Sequence, residues 1–279
     1  MAYKSILSVV TDPDAARPAI EKAIVLARAH DAHLEVLCVG VDRTYTGYHY
    51  GGMPVQFMEE ALEQARAEAA EAEKFVSGRL ERAGIRWSSE TAVAHLAGLD
   101  ALVSERARYN DLVVHPRPYC EGCGQEQETA LEAALFEGRA PVLVVPPRNE
   151  PGPGTGRIVV GWNQSAEALA AIKAALPLLR MADIVSIAMI DPPRHASDRS
   201  DPGGRLSQYL ARHGVKVEIS VLARTMPRIS DVLLRHVTDI GAGLLVMGAY
   251  GHSRFREALL GGATRYVLEQ AEVPVFMAH

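Results

Sequence analysis

Gly-Ala-Tyr-Gly-His-Ser-Arg-Phe-Arg-Glu-Ala-Leu-Leu-Gly-Gly-Ala-Thr, residues 248–264, is the stretch of this sequence that says most about its fold and chemistry. It follows an apolar run, residues 244–247, that predicts a buried parallel strand, and it leads into residues 263–268, which predict the start of a helix. Glycines that bracket a strand-to-helix loop let backbone N–H groups approach a polyanion closely. The spacing G-x2-G-x9-G-G therefore predicts a phosphate-binding loop between a strand and a helix.

The composition is that of an ordinary globular protein, with 48% hydrophobic and 23% charged residues among 279. A formal net charge of −5 provides no general basic surface, which argues against nucleic-acid and membrane binding. No apolar run approaches the roughly 18 residues that span a bilayer, and the first residues lack the features of a signal peptide. Three cysteines give no disulfide framework. We therefore expect a cytoplasmic protein.

A proline- and glycine-rich segment, residues 146–156, predicts a linker that divides the chain. The same pattern stands on both sides of it: strand, polar turn, helix, strand, then a second helix, an alternating strand, a helix and a buried strand. Each half ends on a near copy of one apolar strand, at residues 140–145 and 273–277. Strands that alternate with helices indicate parallel sheets with right-handed crossovers. We expect two tandem α/β domains, residues 1–147 and 156–279.

Several local features can be predicted as well. The helix after the first strand of each half is expected at residues 16–29 and 166–179, and Ser165 is a candidate N-cap for the second of these. A long Ala/Glu-rich helix, residues 55–82, is expected only in the first half. Its charges recur at i,i+4 spacing, which is typical of a solvated outer helix. Cys38 lies in an apolar strand and is expected in the core.

This order of elements, together with the glycine loop, resembles the universal stress protein family, and the duplication resembles its tandem form. The resemblance covers nearly the whole chain. It implies a doubly wound, parallel, five-stranded sheet of order 3-2-1-4-5 in each domain, the adenine-nucleotide alpha-hydrolase-like fold, with the two domains related by a pseudo-two-fold axis. The chain would then form a pseudo-dimer by itself, and a homodimer or a separate protein partner stays open.

The resemblance also implies that the second half binds ATP or another adenine nucleotide, with Mg²⁺ as a candidate companion. The glycine loop would hold the phosphates, and the acidic position after the first strand, here Asn163, would contact the nucleoside. Gly262 stands where the family usually has Ser or Thr. The candidate nucleotide-binding residues are Gly248, Gly251, His252, Ser253, Arg254, Gly261, Gly262, Ala263, Thr264, Asn163, Trp162 and Ile190.

The first half lacks the corresponding glycines. Its loop begins Pro116-Arg-Pro-Tyr119, and Glu128 falls at the spacing of Gly261. Prolines have no N–H to donate and a carboxylate repels phosphate, so no nucleotide is expected in this half. Asp12 matches the family's acidic position, although an acidic residue there is also a common turn former.

Cys120 and Cys123 form a C-x2-C pair, which can bind zinc or act as a redox pair. His115 and His95 are candidate further ligands. A structural zinc site normally has four ligands, usually from two such pairs, so two loop thiols without a role are the alternative.

No catalytic residue is predicted. The sequence has no P-loop, no G-x-S-x-G nucleophile elbow and no H-E-x-x-H motif. A bound nucleotide and a positioned water would allow at most slow ATP hydrolysis. We therefore expect a stress-response sensor or regulator that binds an adenine nucleotide. A nucleotide-free interaction scaffold, or a metal or redox role at Cys120 and Cys123, is the alternative.

Overall fold

A computed structural model describes residues 2–44, 55–119, 124–148, 156–192, 203–249 and 262–279 of the chain. The contacts divide it into two compact units, Ala2–Val142 and Leu143–His279. Within the part of the chain that the structure describes, no helix is long and apolar enough to cross a membrane.

The first unit is an α/β structure with parallel strands in the order β3-β2-β1-β4. The fifth strand of this half, β5, begins at the last residue of the unit. Immediately before it, the Pro141 carbonyl accepts a 2.9 Å hydrogen bond from the Val113 amide of β4. The elements are β1 (Ser5–Val10), α1 (Pro13–His30), β2 (His33–Asp42), α2 (Val55–Leu80), β3 (Arg86–His95), α3 (Leu99–Ala107), β4 (Leu112–Pro116), α4 (Gln125–Glu132) and β5 (Val142–Val145).

The second unit repeats this plan, with parallel strands in the order β10-β9-β6-β7-β8. The sequence pattern therefore predicted the α/β fold and its parallel sheets correctly. The elements are β6 (Arg157–Gly161), α5 (Ala166–Ala174), α6 (Leu176–Leu179), β7 (Ile184–Ile190), α7 (Gly204–Arg212), β8 (Val217–Leu222), α8 (Ile229–Asp239), β9 (Leu244–Gly248), α9 (Ala263–Gln270) and β10 (Val275–Ala278).

The central strands β1 and β6 are largely apolar because helices cover both faces of a parallel sheet of this type. Ile158, Val159 and Val160 of β6 have no exposed surface, and neither do Ile6 and Leu7 of β1. Successive side chains of a strand point to opposite faces, so burial of every residue means that both faces are covered.

Two helices differ from the sequence prediction. The helix expected at residues 166–179 is divided into α5 and α6, because Pro177 in the first turn of α6 has no N–H to continue the hydrogen bonds of α5. Helix α2 has one buried face, where a stripe of apolar residues packs against β2 and β3, while most of its glutamates are exposed. The stripe consists of Ala65, Ala69, Ala72, Val76 and Leu80.

Candidate functional site

The carboxyl edge of the second sheet carries those predicted nucleotide-binding residues that the structure describes. Strand β6 lies between β9 and β7, so the chain leaves β6 toward one side and later returns on its other side. Parallel sheets bind ligands at such a reversal of strand order. Helix α5 begins just after β6 and α9 follows β9, so both helices direct their N-termini to this edge.

The turn between β6 and α5 is closed by its own side chains. Asn163 Oδ1 accepts a 3.1 Å hydrogen bond from the Ser165 amide, and Ser165 Oγ accepts one of 3.1 Å from the Ala168 amide. Gln164 between them has φ +65°. The predicted cap at Ser165 is therefore confirmed, and the carbonyl oxygen of Asn163 already has a partner.

Trp162 and Ile190 lie on neighbouring chain segments of this edge. The Trp162 amide donates a 2.9 Å hydrogen bond to the Ala188 carbonyl of β7, two residues before Ile190. Both side chains are half-buried, whereas Asn163 is exposed. The fold thus brings three of the predicted residues to one edge of the sheet.

Gly248, at the end of β9, has a packing role that needs no ligand. A Cβ at this position would lie 2.5 Å from the Ala168 nitrogen and 2.8 Å from the Glu167 carbonyl carbon. These are backbone atoms of the first turn of α5, which cannot move aside as a flexible side chain can. Glycine is therefore required by the close approach of β9 to α5.

The end of the glycine loop leads directly into α9. Gly262 is the N-cap residue and makes no side-chain capping bond, Ala263 is exposed, and Thr264 is only 4% exposed. Gly251, His252, Ser253, Arg254 and Gly261 lie outside the described residues.

The first half has a cleft of about 630 Å³ at the matching edge of its sheet. We call it the acidic cleft. Asp12 at its rim caps α1, since its Oδ1 accepts hydrogen bonds of 2.8 and 3.2 Å from the Asp14 and Ala15 amides. Its wall also includes Arg43, Glu68, Glu71 and residues 124–127.

An ion-pair cluster crosses the acidic cleft. Arg43, just after β2, lies 3.0 Å from Glu68 of α2 and 2.8 Å from Glu126 of α4. The bond to Glu126 and then that to Glu68 raise the pKa of Arg43. Sequence reasoning missed this cluster, although the place of Arg43 at the carboxyl end of a strand was a signal.

The structure also corrects the alignment of the two loops. Gly124 precedes α4 as Gly262 precedes α9, and the segment between β4 and α4 has fewer residues than the segment between β9 and α9. Glu128 therefore does not correspond to Gly261. It lies within α4, where the Tyr119 hydroxyl donates to its carboxylate at 3.3 Å.

The metal hypothesis gains no support from the described residues, among which no group of three or more His, Cys, Asp and Glu could hold an ion. Cys120 and Cys123 lie outside them. Burial lowers the pKa of His115 to about 4, and its Nδ1 is hydrogen-bonded at 2.7 Å to the Pro116 carbonyl. Cys38 has no exposed surface, as predicted, and burial raises the pKa of its thiol to about 12.

Comparison with known proteins gives one consistent answer. The model of the universal stress protein family matches residues 2–109 and 154–279. A universal stress protein of Synechocystis sp. is 33% identical over 72 residues, which are 26% of this chain and 24% of that protein. This chain therefore aligns with about a quarter of the length of that curated relative.

Solved structures agree on the fold. A universal stress protein of Archaeoglobus fulgidus superimposes with a TM-score of 0.69 at 15% identity, over 98% of this chain and 95% of that one. A Pseudomonas aeruginosa protein provisionally assigned to the same group gives 0.61 at 17% identity, over 99% and 92%. The first family segment ends before β4, whereas the second includes the whole glycine loop.

Proposed function

Because this chain belongs to the universal stress protein family, we propose that it is a stress-response sensor or regulator whose second half binds an adenine nucleotide. The observation that carries the proposal is the intact G-x2-G-x9-G-G spacing between β9 and α9, at the edge where strand order reverses. The first half lacks this spacing and has the acidic cleft instead.

Helix N-termini support an anionic ligand at this edge. The first N–H groups of a helix have no partner within it, and the helix dipole is positive at that end. Both α5 and α9 begin here, and glycines in the segment between β9 and α9 would let phosphate oxygens approach the backbone. ATP or AMP, with Mg²⁺ beside the phosphates, has the required chemistry.

Each predicted residue has a role in this proposal. Backbone N–H groups of the loop hold the phosphates, with His252, Ser253 and Arg254 beside them. The Asn163 side-chain amide donates to the ribose, and the base lies near Trp162 and Ile190. Thr264 contributes through its backbone, because its side chain is buried. The phosphate-binding backbone belongs to Gly248, Gly251, Gly261, Gly262, Ala263 and Thr264.

Titration of the full chain with ATP, ADP and AMP tests the proposal. A ligand present at 100 times its Kd stabilises the folded state by about 2.7 kcal/mol, so the unfolding temperature must rise with nucleotide concentration. Gly251→Asp places a carboxylate in the loop and should abolish the rise. Gly243→Asp is the matched control, since Gly243 is exposed with open space around its Cβ position. No rise with any nucleotide at millimolar concentration would rule the proposal out.

A nucleotide-free scaffold is the second candidate, and two observations favour it. Gly248 is explained by packing against α5, and the Asn163 carbonyl oxygen is bonded to the Ser165 amide. Both residues thus have structural roles without a ligand. In that case the exposed helices would serve as contact surfaces for a protein partner, and the titration above would show no response.

A further inference from the structure

One arginine at the carboxyl edge of the second sheet has no carboxylate to balance its charge. Arg228 is the N-cap residue of α8; it is exposed and its side chain makes no capping hydrogen bond. No Asp or Glu among the described residues forms an ion pair with it. By contrast, Arg235 of α8 is paired with the carboxylate of Asp239, and Arg265 of α9 with that of Glu269.

The guanidinium of Arg228 lies over an aromatic ring of the next helix. Its Cζ is 4.4 Å from the centre of the Tyr266 ring, and such a cation–π contact holds a charge without neutralising it. Tyr266 belongs to the first turn of α9, where its amide donates a 3.1 Å hydrogen bond to the Gly262 carbonyl. The contact therefore places a positive charge at the start of α9, where the glycine spacing ends.

Arg228 also lies near the point where strand order reverses. Leu233 of α8 packs at the ends of β6 and β9, because a Cβ at Gly161 would lie 3.3 Å from Leu233 Cδ2 and 3.7 Å from Met247 Cβ. Helix α8 follows β8 and so runs back from the carboxyl edge. At about 1.5 Å per residue, Arg228 is roughly 7 Å closer to this edge than Leu233. Its charge is thus beside the crevice between β6 and β9.

The order of the strands indicates which part of a nucleotide would meet this charge. In the proposed site the base lies near Ile190 at the end of β7, and the ribose lies at Asn163 after β6. Strand β9 is on the other side of β6, and α9 follows β9. A nucleotide that extends from β7 across β6 to β9 would therefore have its last phosphate closest to the start of α9.

We propose that Arg228 binds the terminal phosphates of the nucleotide and makes the second half selective for a nucleoside triphosphate over a monophosphate. Arginine suits this role because it stays charged and can donate two parallel N–H bonds to phosphate oxygens. The inference rests on the nucleotide site proposed above and adds the residue that distinguishes nucleotides by phosphate number. Tyr266 is a positioning residue, since its ring holds the guanidinium at the start of α9.

Calorimetric titration of the full chain with ATP and with AMP, at about 0.15 M salt, tests this selectivity. We expect the wild type to bind ATP about tenfold more tightly than AMP, and Arg228→Gln to weaken ATP binding about tenfold while AMP binding changes less than about twofold. Arg235→Gln removes the same charge from the same helix, seven positions further from the edge, and should change neither affinity. Equal affinity of the wild type for ATP and AMP would overturn the inference, as would equal effects of the two substitutions.

Inorganic tripolyphosphate separates this inference from the proposed function. If the wild type binds no adenine nucleotide but binds tripolyphosphate at millimolar concentration, and Arg228→Gln does not, then the adenine-nucleotide proposal fails and the role of Arg228 stands. If ATP and AMP bind but Arg228→Gln weakens both equally or neither, only the role of Arg228 is lost. Binding of neither nucleotide nor tripolyphosphate would overturn both.

Two substitutions at Tyr266 test its role in positioning Arg228. Tyr266→Phe keeps the aromatic ring and should bind ATP as the wild type does. Tyr266→Leu removes the ring, so we expect several-fold weaker ATP binding, while unchanged AMP binding would show that the variant is folded. If Tyr266→Leu bound ATP as tightly as the wild type, the ring would not be what positions Arg228.

Discussion

Arg106, near the end of α3, links this helix to its sheet through ion pairs. Its guanidinium donates to Glu90 of β3 at 2.7 Å and lies 3.9 Å from Glu35 of β2. Such partly exposed pairs contribute little individually because water and salt screen them.

In the second half, His236 links α8 to the sheet through hydrogen bonds between neutral groups. Its Nε2 lies 3.1 Å from Ser186 Oγ of β7, which in turn lies 2.9 Å from Ser220 Oγ of β8. The partners again come from the second and third strands of the half. Helix α3 is thus linked to its sheet by ion pairs, whereas α8 is linked by hydrogen bonds through a histidine.

Burial lowers the pKa of His236 below its ordinary 6.5, while Glu218 and Asp239 act in the opposite direction. As the pH falls, the unfolded chain therefore takes up this proton before the folded chain does. The contribution of His236 to the free energy of unfolding should be complete above the unfolded pKa. It should be lost as the pH falls through the lower folded pKa.

Urea unfolding at several pH values measures this contribution. In a Trp87→Phe background, Trp162 is the remaining tryptophan and its fluorescence reports on the second half. Burial also lowers the pKa of His30 and His115 in the first half. The informative quantity is therefore the free energy of unfolding of the wild type minus that of His236→Gln. That difference should shrink on acidification. The exposed His213→Gln serves as control, and a difference independent of pH would contradict the role of His236.

Among the secondary-structure elements, the contact between β9 and α5 fixes the geometry of the proposed nucleotide edge. Gly248→Ala would place a methyl group against the backbone of Glu167 and Ala168, which must shift to admit it. Overpacking of this kind typically costs about 1–3 kcal/mol. We expect that loss in the ligand-free protein, measured by urea unfolding with Trp162 fluorescence.

Gly243→Ala is the matched control for this substitution. Its Cβ would meet nothing within 4 Å and its φ is not positive, so the free energy of unfolding should change by no more than about 0.5 kcal/mol. If Gly248→Ala were as stable as this control, the close approach of β9 to α5 would not be the reason for glycine at 248.

Local sequence signals predicted the elements well, and contacts between distant residues were beyond them. Ser165 and the turn before α5 could be predicted because the cap and the Ala168 amide that donates to it lie three residues apart. The break between α5 and α6 follows from Pro177 and could have been predicted. Arg43 and Glu126 are 83 positions apart, so their pairing depends on the fold and no local pattern reveals it.

For the whole molecule, the duplication could be predicted from the sequence because the alternation of strands and helices is a local pattern that recurs in each half. The absence of the glycine spacing from the first half could also be seen in the sequence. What occupies that edge of the sheet instead could not. The missing glycines predict only that phosphate is not held, whereas the structure shows a cleft lined by Arg43 and four acidic residues. The proposed difference in function between the halves rests on this difference of charge.

Equilibrium dialysis of the full chain against radiolabelled ATP at saturating concentration measures how many nucleotides each chain binds, and so tests this difference directly. Each chain should bind one nucleotide, and Gly251→Asp should bind none, because the G-x2-G-x9-G-G spacing of the proposed phosphate site occurs in the second half and not in the first. Two nucleotides per wild-type chain would show that the acidic cleft admits phosphate. No bound nucleotide at saturation would leave the second half without its proposed ligand.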